Sequence, residues 1–221
     1  MDQGRRRLTA DDWATAALEA IGERGLAAVA VEPLATRLGA TKGSFYWHFT
    51  HRDALVEAAL ALWERRFTEA TIETLGAEPD PRARLRILLT QVTGGAGQDA
   101  AAANLLASAD HELVAPVVRR VARRRLDYVT ALFQEIGFPP EVAVQRAVLG
   151  YAAYVGHDEL ETRLPGVLPL GGEGGEGRLA DYIESVLELL LHGAPAGPGQ
   201  GTPAEAPPRE PGPPVTRSSR A

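Results

Sequence analysis

The sequence runs to 221 residues and 23.6 kDa, with 23 Lys+Arg against 29 Asp+Glu, a net charge of −6 and no cysteine. That length holds one large domain or two small ones. Without cysteine there is no disulfide scaffold, no thiol catalysis and no thiolate zinc site. An acidic chain repels phosphate as a whole, so any nucleic-acid surface must be local. No apolar run approaches the roughly 18 residues that span a bilayer, so no membrane partner is expected. The start, Met1-Asp2-Gln3-Gly4-Arg5-Arg6-Arg7, has charge but no apolar stretch behind it, which predicts a cytoplasmic protein rather than a secreted one.

Apolar residues recur with a period near 3.6 almost throughout; only Val29-Ala30-Val31 looks strand-like, and the fold class expected is all-α. In the first helix Thr9 and Asp12 form a weak capping box, Leu8 and Trp13 occupy the staple positions, and Gly25 ends the run. A short helix spans Pro33 to Leu38 and stops at Gly39. A brief one begins at Thr41. A long fourth helix, capped by Thr50 with Asp53, runs through Leu55, Leu60, Trp63, Phe67 and Ile72 to Gly76. Helical stretches follow at 81–92, 99–110, 116–136, 140–157 and 179–191. Residues 164–177, with six Gly and two Pro, read as a loop. The last 29 residues hold eight prolines and no aromatic residue, so 193–221 is expected to stay disordered.

Between Thr36 and Arg52 the chain carries Arg37, Lys42, Arg52 and two histidines without a single acid. This positive island lies on a neutral segment, since 1–56 balances seven basic against seven acidic residues. Two short helices around Gly39-Ala40 make a helix-turn-helix, which presents its second helix to a DNA major groove. Thr41 caps that helix and leaves its N–H groups facing a phosphate. Gly43 permits close backbone approach, and Ser44 is short enough to reach a base edge. Tyr46, Trp47 and His48 offer a phenol, an indole and an imidazole. Phe45 and Phe49, four apart, dock the helix on its own core. Lys42 is the only lysine in the chain.

The stretch LATRLGATKGSFYWHFTHRDAL at 34–55, within a block from Leu8 to about Leu75, resembles the DNA-binding domain of the tetracycline-repressor (TetR) family of transcription factors. The resemblance implies DNA contacts from Thr41, Lys42, Gly43, Ser44, Tyr46, Trp47 and His48, and a phosphate contact from Arg52. One departure stands out: where the family usually has Ser or Thr before its second helix, this chain has Ala30-Val31-Glu32-Pro33. The domains expected are 1–56 for DNA binding, 57–192 for effector binding and dimerisation, and the tail 193–221.

The helices at 140–157 and 179–191 are apolar nearly all round, which predicts a homodimer packed through both. A dimer would present two recognition helices to a palindromic operator. The resemblance further implies a ligand cavity between the middle helices; Trp63, Phe67, His111, Phe133 and Tyr151 are candidate linings, with core packing as the competing role of each. The expected function is a ligand-responsive repressor, released from its operator by a small-molecule effector, without enzymatic activity or cofactor. A constitutive regulator and a metal-dependent hydrolase using His157, Asp158 and Glu159 are the alternatives. Arg119, Arg120, Arg123, Arg124 and Arg125 read as a solvated helix face, with an acidic effector as their alternative partner.

Overall fold

The computed structural model describes residues 7–94, 99–170 and 175–195, and among these every regular element is a helix. Helix α1 (Ala10–Arg24) opens on Thr9, whose hydroxyl accepts from the Asp12 N–H at 3.2 Å while the Asp12 carboxylate accepts from the Thr9 N–H at 2.8 Å. This reciprocal pair satisfies two amides that a helix start leaves open. Trp13 is fully buried, and Leu8 packs on the same core. Gly25 halts the helix at φ +78°, where a side chain would be strained.

Helix α2 (Val31–Arg37) begins before Pro33 and has no side-chain cap, because Ala30 stands at its N-cap. Val29 and Ala30 are loop and Val31 is helical, so the strand-like triplet forms no strand. At the far end the Ala40 N–H bonds the Ala35 carbonyl at 2.7 Å and the Gly39 N–H bonds Thr36 at 3.0 Å, with Gly39 at φ +60°. That left-handed glycine turns the chain into α3 (Lys42–Phe45), where Thr41 caps by accepting from the Ser44 N–H at 3.2 Å.

Helix α4 (Arg52–Glu64) is capped by His51 rather than Thr50: its Nδ1 accepts from the Ala54 N–H at 3.1 Å, and Thr50 lies one residue too early. The rod does not run on as regular helix to Gly76. It widens into a π-helical turn at Arg65–Glu69, where the Ala70 N–H reaches back to the Arg65 carbonyl, and resumes as α5 (Ala70–Leu75). Beyond it come α6 (Pro81–Gly94), α7 (Ala102–Ala107), α8 (Val114–Ile136), α9 (Pro140–Arg163) and α10 (Gly175–Leu191). The expected 99–110 helix is shorter, α9 runs past 157 to Arg163, and α10 begins at Gly175, inside the stretch expected to be loop. The tail from 196 on lies outside the described residues.

Two cores divide the interior. One joins α1 to α4 with Ala101, Leu105, Val114, Val118 and Val121, so apolar packing crosses the 56/57 boundary expected from sequence. The other is built from α6, the end of α8, α9 and α10 around Leu85, Phe133, Phe138, Ala147 and Leu187. Phe133 therefore does not line a ligand cavity. It is fully buried and meets Phe138 edge-on at 5.9 Å across the turn at Gly137. The Phe138 N–H bonds the Phe133 carbonyl at 3.0 Å, the pattern in which those two positions touch.

Candidate DNA interface and interior cavity

Helix α3 is pinned from beneath. Phe45, fully buried, meets Trp13 edge-on at 5.4 Å and stacks with Phe49 at 5.6 Å. The opposite side carries Thr41, Lys42, Gly43, Tyr46 and Trp47, all exposed, with Ser44 and His48 half-buried. Trp47 is 82% exposed, a large apolar ring held in water that only a partner would cover. Lys42 Nζ lies 2.8 Å from a Glu32 carboxylate oxygen, and the Ser44 hydroxyl donates to the Thr41 carbonyl at 2.9 Å. A Cβ at Gly43 would lie 3.7 Å from Thr41 Oγ1, ordinary contact, so the protein's own packing does not demand glycine there. An open groove of about 440 Å³, lined by Arg7, Gly39, Thr41, Ser44, Trp47 and His48 among others, runs beside this face.

Arg52 behaves differently. Its Nε donates to the Val29 carbonyl at 2.7 Å and its Nη2 to Leu26 at 3.0 Å, with Nη1 3.2 Å from Asp53. The guanidinium thus ties the start of α4 to the turn after α1 instead of standing free for a phosphate. Arg37 is likewise engaged, with Glu19 at 3.1 Å and Glu23 at 2.8 Å.

In the body, a cavity of about 140 Å³ opens between the π-turn, α5, α6, α8 and α9. Phe67 and Tyr151 line it. Trp63 lines a small adjoining pocket and donates its indole N–H to Asp99 at 2.7 Å. His111 is not part of it: its Nδ1 accepts from the Leu113 N–H at 3.2 Å in the turn before α8. Most of the wall is apolar, including Ile72, Leu85, Leu88 and Val129.

The polar part centres on Arg125, which sequence reading left on a solvated face. Arg120 and Arg124 do stay near the surface, paired with Glu64 at 2.6 Å and Glu69 at 3.2 Å, whereas Arg125 turns inward. Its Nε donates to the Thr68 hydroxyl at 3.0 Å, Nη1 to the Tyr154 hydroxyl at 3.4 Å, and Nη2 to the Phe67 carbonyl at 3.1 Å and Asp99 at 3.3 Å. The guanidinium carbon sits 5.4 Å from the Trp63 ring centre. The spacing held a clue: position 125 falls seven after Val118, four after Val121 and seven before Leu132, on the stripe that α8 buries.

Burial raises the Asp99 carboxyl despite Arg125 and Trp63 beside it. It also pushes Tyr154 up to about 12. Asp158, another cavity residue, is pushed up to about 6 by burial, with Asp99 and Glu159 adding repulsion. His157 stacks on Tyr182 with ring centres 5.9 Å apart, and no cluster of three metal-ligating side chains occurs among the described residues.

A helix-turn-helix with an exposed second helix, joined to an all-helical body, defines a DNA-binding transcriptional regulator. Residues 15–59 match the sequence model of bacterial regulatory proteins, tetR family, so the helix-turn-helix segment is similar to that family. No curated protein matches the chain by sequence. Among solved structures, a transcriptional regulator from Rhodococcus sp. Rha1 is 21% identical with a TM-score of 0.70, over 85% of this chain and 98% of that one. The transcriptional regulator FadR from Bacillus subtilis, in complex with stearoyl-CoA, is 16% identical with a TM-score of 0.62, over 84% and 99%. AibR, in complex with isovaleryl coenzyme A and operator DNA, is 17% identical with a TM-score of 0.59, over 80% and 96%. At such identities the likeness is one of fold. No helix among the described residues is long and apolar enough to cross a membrane.

Proposed function

We propose that this cytoplasmic protein is a repressor that binds a palindromic operator as a homodimer and leaves it when a small molecule fills the cavity. The observation that carries the reading is the face of α3. Lys42 on the helix and Tyr46 and Trp47 in the turn that follows stand exposed on a segment locked underneath by Phe45 and Phe49, with Thr41, Gly43, Ser44 and His48 completing the surface offered to DNA. Dimerisation is supported by apolar residues that this chain leaves uncovered on α9 and α10: Val144, Val148 and Leu149 are 49, 51 and 60% exposed, and Leu189 is 71%. A second copy packed on that face would bury them.

The link between cavity and DNA runs through Arg125. It binds the Thr68 hydroxyl and the Phe67 carbonyl inside the π-turn, so it holds the rod whose other end carries the helix-turn-helix. A ligand that moves Arg125 changes the angle of α4 and with it the separation of the two recognition helices. It shifts operator affinity only as far as it binds one arrangement better than the other. AibR, solved with both an acyl-CoA and operator DNA, lends the reading support by fold.

Selection of bound sites from random DNA supplies the operator. Replacing Lys42 by Ala is then expected to weaken binding about uniformly across sequences and reduce the salt slope by about one. An unchanged affinity and slope would show that the face is wrongly assigned.

A further inference from the structure

We propose that the effector is an apolar molecule bearing a protonated amine, which the Asp158 carboxylate holds beside Tyr151 and Tyr154. The inference rests on the effector-responsive reading above and names the ligand's class.

Tyr151, Tyr154 and Asp158 follow one another at helical spacing on α9, and all three line the cavity; the two phenol rings lie 6.0 Å apart between centres. Charge accounting within the cavity singles out Asp158. Arg125 is the one cation lining it among the described residues, and Asp99 neutralises that charge at 3.3 Å. Four of the five guanidinium N–H groups already donate to protein oxygens, leaving one on Nη1 and no two-pronged site for a carboxylate ligand. Asp158 is the second acid of the wall, and no hydrogen-bond donor among the described residues reaches its carboxylate. The charged groups acting on it are Asp99 before α7, Arg125 on α8 and Glu159 on α9, two of them repulsive.

An ammonium entering here would neutralise the uncompensated charge and find aromatic faces alongside, where cations are attracted. An entering carboxylate would put like charges together in a poorly hydrated space. An acyl-CoA, such as the ligands seen on FadR and AibR, offers only a neutral thioester and anionic phosphates and would leave Asp158 unpaired. The apolar wall supplied by Ile72, Leu85 and Val129 accounts for the rest of the molecule.

The test compares 4-phenylbutylamine, 4-phenylbutanol and 4-phenylbutyrate, which share one frame, on the full chain near neutral pH by titration calorimetry, with isovaleryl coenzyme A as a fourth probe. The amine is expected to bind at least about tenfold more tightly than the other three. Asp158→Asn should bring the amine down to the level of the alcohol while the alcohol's own affinity holds, and Asp158→Glu should keep the preference. Equal or tighter binding of the acid, the alcohol or the thioester overturns the proposal. So does an amine preference that survives in Asp158→Asn, or no binding by any probe at about millimolar concentration. Operator affinity measured alongside separates the two readings. Tight amine binding without operator release leaves the ligand class standing and removes the effector role. Operator release by the acid or the thioester does the reverse.

Discussion

Glycine at position 43 opposes the helix it sits in. Inside a helix it is less favourable than alanine by about 1 kcal/mol, and nothing within the protein crowds the place where a methyl would go. Gly43→Ala is therefore expected to raise the thermal midpoint slightly while weakening operator binding by about tenfold or more, because the added methyl meets the DNA backbone. Calorimetric melting and an operator titration on the same sample check both signs. Asp158 gives a pH-dependent counterpart. Its folded carboxyl titrates at about 6 against an ordinary 3.8, so the native state holds the proton more tightly than the unfolded chain. Stability consequently falls as pH rises from about 4 to about 6 and stays lower above that window. Asp158→Asn removes the penalty and should melt about 2–4 °C higher above pH 6, an advantage of about 1 kcal/mol once partial hydration is discounted. That advantage should shrink as pH falls through the window. The exposed face around α3 was legible at this scale because the spacing of Phe45 and Phe49 fixes which side is buried. Arg52 was not, since the carbonyls that bind it come from Leu26 and Val29, far away in sequence.

Some helix ends were legible for a different reason, that their caps are local, although His51 and not Thr50 caps α4. Thr9 with Asp12, Thr41 with Ser44, and the glycines at 39 and 137 bond within a few residues, so the pattern carries the geometry. The π-turn at Arg65–Glu69 is not local. Its Thr68 hydroxyl and Phe67 carbonyl are met by Arg125 from another helix, and no periodicity in 52–76 records that contact. The cavity suffered likewise, because Asp99 and Asp158 join it only through tertiary packing. The buried pair predicts a double-variant cycle. Arg125→Met should cost about 3–5 kcal/mol by leaving Asp99 without its counter-charge, and Arg125→Met with Asp99→Asn should recover most of it. Thermal unfolding of the two single variants and the double variant reads the coupling; additive losses would mean the pair is not linked.

In the whole molecule, the homodimer proposed above would form through the apolar residues left uncovered on α9 and α10. Val148→Asp with Leu149→Asp places charge where the partner's packing is expected. Sedimentation should then find monomers, and operator affinity should fall sharply because two linked half-site contacts become independent. A dimer that persists would move the interface elsewhere. The shared core has a consequence of its own. Ala101, Leu105, Val114, Val118 and Val121 wall in α1 and α4, so the reading head has no complete interior without them. A chimera that grafts the first 56 residues onto a foreign sensor would carry a raw hydrophobic flank, and modular exchange among such regulators would work here only if the transplant took that buttress along.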